Sequence, residues 1–86
     1  MASYELLIKV SAAKELEALP RKDRERVSAK IRSLAGNPWP HGTEKLSGRE
    51  KYLLRQDDYR ILYSIDDAAT TVTVVRVGHR REVYRK

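Results

Sequence analysis

Cysteine is absent from this 86-residue chain, which excludes disulfides, thiol catalysis and thiolate zinc sites. There are only two histidines, His41 and His79, too few for a histidine-rich metal centre, so neither a metal nor a cofactor is expected. No apolar run approaches the roughly 20 residues of a membrane span. The opening residues Met1 to Glu5 have no basic n-region and no long apolar stretch. No pair of carboxylates or histidines has the spacing of an acid–base couple; Asp57, Asp58, Asp66 and Asp67 read as turn residues. These absences lead us to expect a soluble, cytoplasmic protein with a single domain over residues 1–86. Its core must be small, because a chain of this size buries roughly 60–65% of its unfolded surface.

What the chain does have is positive charge. Eighteen Lys and Arg against twelve Asp and Glu leave a net +6, a balance that suits a polyanionic or acidic partner. The excess is uneven. Residues 76–86 hold Arg76, Arg80, Arg81, Arg85 and Lys86 against Glu82 alone, a local +4.

Hydrophobic periodicity orders the elements. Tyr4 to Val10 alternates, with Tyr4, Leu6, Ile8 and Val10 on one face of a first strand. Ser11 stands in an N-cap position before a short helix whose apolar face is Ala12, Leu16 and Leu19, and Pro20 ends it or opens the next. A second helix from about Arg21 to Ala35 carries Val27, Ile31 and Leu34 at i, i+4, i+7. Gly36-Asn37-Pro38 stops it, and the loop to Thr43 follows. Three strands come next: Lys51–Gln56, Tyr59–Ile65 and Thr71–Val77, the last broken by Gly78-His79-Arg80-Arg81. The expected fold is α+β, β-α-α-β-β-β, with a helix hairpin on one face of a mainly antiparallel four-stranded sheet. Ile8, Leu16, Leu19, Val27, Ile31, Leu34, Leu54, Ile61 and Val74 should be buried.

Strand parity then assigns the other face. If Tyr52 and Leu54 face the helices, Leu53 and Arg55 face away; if Tyr59, Ile61, Tyr63 and Ile65 face in, Arg60, Leu62 and Ser64 face out. Arg55 and Arg60 flank a short turn and should lie close together. The loop after the last strand is expected to bring His79 and Arg80 to the same edge, with Tyr84 nearby. Arginine for phosphate and an aromatic ring for a base is the chemistry of single-stranded nucleic-acid binding. The plainer alternatives are a solvated basic helix from Arg21 to Arg32, packing roles for Tyr52, Tyr59 and Tyr63, a loop anchor in Trp39 and an ordinary loop histidine in His41. On RNA, arginines stabilise phosphorane charge but hardly move protons. Proton transfer would fall to His79, Tyr84 or a lysine such as Lys51. A site this poor in acid–base groups would draw on an assembly that pre-orients the substrate.

The runs Lys45-Leu-Ser-Gly, Tyr52-Leu-Leu-Arg-Gln-Asp-Asp-Tyr-Arg-Ile-Leu-Tyr and Val74-Val-Arg-Val-Gly-His-Arg-Arg-Glu-Val-Tyr-Arg, in this order, resemble the RelE/ParE toxin superfamily, and most of all its RelE branch. The resemblance covers nearly the whole chain. It implies the toxin of a type II toxin–antitoxin pair: a metal-independent endoribonuclease that cuts messenger RNA in the A site of the 70S ribosome, with the 2′-hydroxyl as nucleophile. It also implies a cognate antitoxin, and a toxin–antitoxin complex that binds operator DNA through that antitoxin. By the same resemblance, Arg60 contacts the scissile phosphate, Arg80 stabilises the transition state and Tyr84 stacks on or orients a nucleotide. Arg55 is the second of two basic residues on its strand. The first, often a proton-moving lysine, is Leu53 here. Lys51 is displaced from it by two residues, and His79 is the remaining candidate for acid–base work. Lys51, Arg55, Arg81 and Arg85 form the expected RNA-binding set. Two other readings stay open: a ParE-like toxin that inhibits DNA gyrase, and a non-catalytic module that binds nucleic acid or antitoxin.

Overall fold

The computed structural model describes residues 3–46 and 51–79. Its elements are β1 (Glu5–Ile8), α1 (Val10–Glu17), α2 (Arg21–Ser33), β2 (Glu44–Lys45), β3 (Lys51–Gln56), β4 (Tyr59–Asp66) and β5 (Thr71–His79). The sheet has five strands in the order β1-β5-β4-β3-β2. β1 runs parallel to β5, and the other neighbours are antiparallel. The four-stranded expectation therefore falls one strand short. β2 is two residues long and pairs Glu44 with Leu53 and Lys45 with Tyr52; two residues have no period to read.

The start of α1 also differs. Ser11 lies inside the helix and Lys9 is its N-cap, with no side-chain cap. The cause is tertiary. The Lys9 N–H donates to Val74 O at 3.0 Å, so Lys9 is still held to the sheet, while its own carbonyl accepts the Ala13 N–H at 2.9 Å. One residue thus closes the strand and opens the helix. Pro20, extended at φ −55° and ψ 150°, is the N-cap of α2; its ring disfavours helical geometry in the residue before it.

The core gathers Ala12, Val27, Ile31, Leu34, Leu54, Ile61, Tyr63, Ile65, Val72, Val74 and Val77, with Leu16 and Leu19 packed against it. Ile8 does not join them. It is 39% exposed because β1 is the edge strand of the described sheet. Leu7 and Val10 are exposed as well. Leu53, assigned by parity to the side away from the helices, is only 1% exposed, set between its register partners Glu44 and Leu62.

β5 has an irregularity that re-aims its end. Leu62 pairs with Arg76 but Tyr63 pairs with Val74, which leaves Val75 as an extra residue. A bulge of this kind shifts side-chain parity by one. Val74 and Val77, three apart, therefore both reach the core, and the strand continues through Gly78 and His79 instead of breaking at Gly78. Past the end of β1, Glu15 of α1 acts in place of a neighbouring strand. Its Oε1 accepts the Val77 N–H at 2.9 Å and its Oε2 pairs with Arg76 Nη2 at 3.0 Å.

Tyr63 ties the loop after α2 to the sheet. Its hydroxyl donates to Pro38 O at 2.7 Å and lies 3.2 Å from Thr43 Oγ1, and its ring stacks on Tyr52. Burial holds the phenol above its ordinary value of 10.0, so it remains a donor across the working pH range. Tyr63→Phe removes that donor and strands a carbonyl. The expected loss is about 1 kcal/mol, seen in a thermal melt as a Tm lower by about 4–8 °C. An unchanged Tm would show that the bond contributes nothing.

Candidate nucleic-acid interface

The β3–β4 hairpin turns on Asp57 and Asp58, with Gln56 opposite Tyr59. Asp57 takes φ 56°, a left-handed conformation that Asp tolerates better than most residues. The hairpin tip is fixed to α2 at two points. Tyr59 Oη donates to Asp23 Oδ2 at 2.9 Å, and Arg26 pairs with Asp57 at 3.4 Å. The bond to Asp23, reinforced by burial, keeps the Tyr59 phenol above its ordinary value, and so protonated.

The next register pair is Arg55 opposite Arg60, and Arg60 is in turn opposite Gly78. Directly opposed residues have Cβ atoms about 4.5–5.5 Å apart, and like charges so placed are destabilising. Arg60 is half-buried. Its Nε is buried without a hydrogen-bond partner, and its Nη1 reaches only Tyr59 O at 3.5 Å. Arg55 is partly offset by Glu44 at 3.5 Å, with side chains 57% and 53% exposed; exposed pairs of this kind contribute about 0–1 kcal/mol. Gly78 has no side chain, so the third strand contributes none beside Arg60. Two guanidiniums with little to neutralise them, one already desolvated, suit an oxyanion brought in from outside.

The same face carries Leu53 and Leu62 as one register pair and Lys51, Ser64 and Thr73 as the next row. Lys51 lies four residues along the strand from Arg55, about 13 Å. The structure thus brings Arg55 and Arg60 together and leaves Lys51 at the other end of β3.

His79 is elsewhere. It is the register partner of Tyr59, whose ring packs against the core, and the two rings meet edge to face at 6.2 Å. It borders a groove of about 350 Å³ between the sheet and the α1–α2 junction, lined also by Glu15, Leu19, Pro20 and Val77. The bulge at Val75 is responsible: it puts Gly78, not His79, on the arginine-bearing face. The expected contacts of Arg80, Arg81, Tyr84 and Arg85 lie outside the described residues. Sequence parity did not foresee the roles of Gly78 and Glu44 as neighbours of the arginine pair, because both depend on strand register. Among the described residues no group of three or more His, Asp or Glu side chains is placed to hold a metal ion, and no helix is long and apolar enough to cross a membrane.

Comparison with known proteins agrees with this architecture. Residues 6–84 match the family model of the ParE toxin of type II toxin–antitoxin systems, parDE. Toxin RelG of Mycobacterium tuberculosis is 53% identical over 32 residues, a match that spans 37% of this chain and 37% of that toxin. Toxin RelE of the same organism is 31% identical over 84 residues, covering 95% of this chain and 87% of the relative. A chain of the toxin–antitoxin complex RelBE2 from Mycobacterium tuberculosis superposes with a TM-score of 0.81 at 29% identity, over 92% of this chain and 100% of that one.

Proposed function

This chain belongs to the RelE/ParE superfamily of type II toxin–antitoxin toxins, with RelE-like relatives, and from that premise we propose that it is a ribosome-dependent endoribonuclease that cleaves messenger RNA in the A site and so stops translation. The observation that carries this reading is the Arg55–Arg60 pair, two opposed cations on one sheet face. Repulsion between them weakens the fold, and a phosphate between them would relieve it. Arg60 would hold the scissile phosphate and Arg55 the backbone beside it, with Lys51 contacting the strand farther along β3. Arg80 and Tyr84 complete the scheme as the charge stabiliser and the nucleotide-stacking ring, and Arg81 and Arg85 add backbone contacts. The reaction as implied by the resemblance uses no metal. The cytoplasm, where ribosomes are, is the site of action.

A cognate antitoxin is the second partner. The solved complex with a similar toxin chain supports it, as does a net charge of +6, which would speed encounter with an acidic segment. The complex would bind its operator through the antitoxin.

Two observations favour a second reading, inhibition of DNA gyrase: the matching family model carries the ParE name, and the often basic position on β3 is a buried Leu53. A short induction pulse separates the two. The ribonuclease reading expects cuts in ribosome-bound message with plasmid supercoiling unchanged. Relaxed or cleaved DNA with intact message would replace it with the gyrase reading.

His79 stands outside the proposed site because its register places it with Tyr59 on the opposite parity from Arg60. His79→Ala should leave the rate of message cleavage unchanged. A loss as large as that of an arginine variant would restore it as an acid–base group.

A further inference from the structure

β1 lies at an edge of the described sheet, and the side chains it exposes are largely apolar. Leu7 is 47% exposed, Ile8 39% and Val10, just past the strand, 72%. Folded proteins commonly blunt an edge strand with charge, proline or a bulge, because its unpaired N–H and C=O groups attract another strand. This strand carries charge only at its two ends, in Glu5 and Lys9. Lys9 belongs to the ladder although α1 follows it at once. Its backbone is extended, and its N–H donates to Val74 O at 3.0 Å.

The run Glu5-Leu6-Leu7-Ile8-Lys9 is a chemical palindrome about Leu7. Laid antiparallel to itself, it sets Glu5 against Lys9, Leu6 against Ile8 and Leu7 against Leu7. The backbone has the matching polarity. Glu5 and Lys9 turn their N–H groups inward, to Thr70 O at 2.8 Å and to Val74 O. That direction alternates along a strand, so Leu6 and Ile8 aim their N–H and C=O groups outward. In the register centred on Leu7, Leu6 and Ile8 are the residues that exchange both backbone hydrogen bonds. Leu7–Leu7 and Glu5–Lys9 are then the non-hydrogen-bonded pairs, in which side chains come closest. A register centred on Leu6 or on Ile8 would instead set a charge against Leu7.

We infer that β1 pairs with β1 of a second copy of this chain, in a two-fold dimer centred on Leu7. The inference is independent of the ribonuclease reading. Such an interface is isologous: each copy uses up the other's edge, and the assembly closes at two. The opposite edge of the described sheet, β2, is two residues long and offers no comparable ladder. Burial of Leu7 and Ile8 drives the association, and the two Glu5–Lys9 contacts select the register. Antiparallel pairing about a two-fold axis keeps like faces together, so both arginine faces lie on the same side of the joined sheet. A ladder this short buries less than the roughly 1,200 Å² of a stable complex, so the dimer forms in concentrated toxin and dissociates on dilution.

The test is sedimentation velocity of wild-type toxin alone, from about 1 μM to about 1 mM. The expected result is a monomer–dimer equilibrium with no larger species. Glu5→Lys and Lys9→Glu each oppose like charges at both ends of the ladder, and each should weaken self-association about tenfold or more. The two variants mixed should pair with each other, and both changes in one chain should restore the wild-type equilibrium. Glu5 and Lys9 are exposed, and circular dichroism checks that each variant folds. Leu7→Cys gives a second readout, because the chain has no cysteine of its own and directly opposed residues suit a disulfide. Mild oxidation should yield a covalent dimer from Leu7→Cys but not from Glu5→Cys, whose partner is Lys9. Wild-type toxin that stays monomeric over the whole range overturns the inference. A dimer whose strength ignores both charge reversals overturns it as well, by placing the interface on another surface.

Discussion

Arg60→Ala should cut message about 10²–10³-fold more slowly than wild type, the usual cost of removing one preorganised charge stabiliser, while the protein folds normally and still binds its antitoxin. The reason is the unusual setting of this arginine. It faces Arg55 across the hairpin, its Nε is buried without a partner, and Gly78 on the other side contributes no side chain. Among the described residues, only the 3.5 Å bond to Tyr59 O favours the charge in the folded toxin. Truncation therefore relieves repulsion with Arg55, and the Tm should stay level or rise. Arg60→Lys should recover only part of the rate, because an ammonium is a point charge and cannot reproduce a two-pronged contact to phosphate. The measurement is single-turnover cleavage beside a thermal melt. An Arg60→Ala variant that cuts at the wild-type rate would remove the arginine pair from the mechanism.

The neighbouring residue should behave in the opposite way. Ile61 is fully buried, opposite Leu54 on one side and Val77 on the other, at the centre of the sheet face covered by the helices. Ile61→Ala leaves a cavity that strands on both sides cannot easily close, at a cost of about 2–5 kcal/mol. Against the roughly 5–15 kcal/mol that hold a domain together, this is a large share. A melt should show the Tm lower by about 10–30 °C. At a temperature where the variant is still folded, its cleavage rate should match wild type, since the side chain points away from the arginine face. A Tm within a degree or two of wild type would show that the site collapses freely and that the core is not packed as described. Together the two variants test strand parity: adjacent residues of β4, one affecting rate and the other stability.

That parity was legible in the chain. Tyr59, Ile61, Tyr63 and Ile65 alternate with Arg60, Leu62 and Ser64, and a strand has no other way to present them. The two-residue turn at Asp57-Asp58 then makes Arg55 the partner of Arg60. The stripe Val27, Ile31 and Leu34 likewise located the buried face of α2. In each case backbone geometry over a few residues is sufficient, so local sequence is enough.

Where a partner distant in the chain was needed, local pattern gave no warning. Lys9 rather than Ser11 caps α1 because Val74 holds its N–H. Ile8 is exposed because, among the described residues, no strand pairs beyond β1. Glu44 reaches the arginine face only because two residues bridge to β3, and an isolated pair of residues has no periodicity of its own. The bulge at Val75 has the largest consequence. Uninterrupted alternation from Val74 would have put Gly78 toward the core and His79 on the arginine face, and one extra residue reverses both. Sequence alone thus determined which residues alternate and which carry charge. The tertiary structure decided register, edges and the bulge, because their hydrogen bonds are made to strands that the local sequence does not contain.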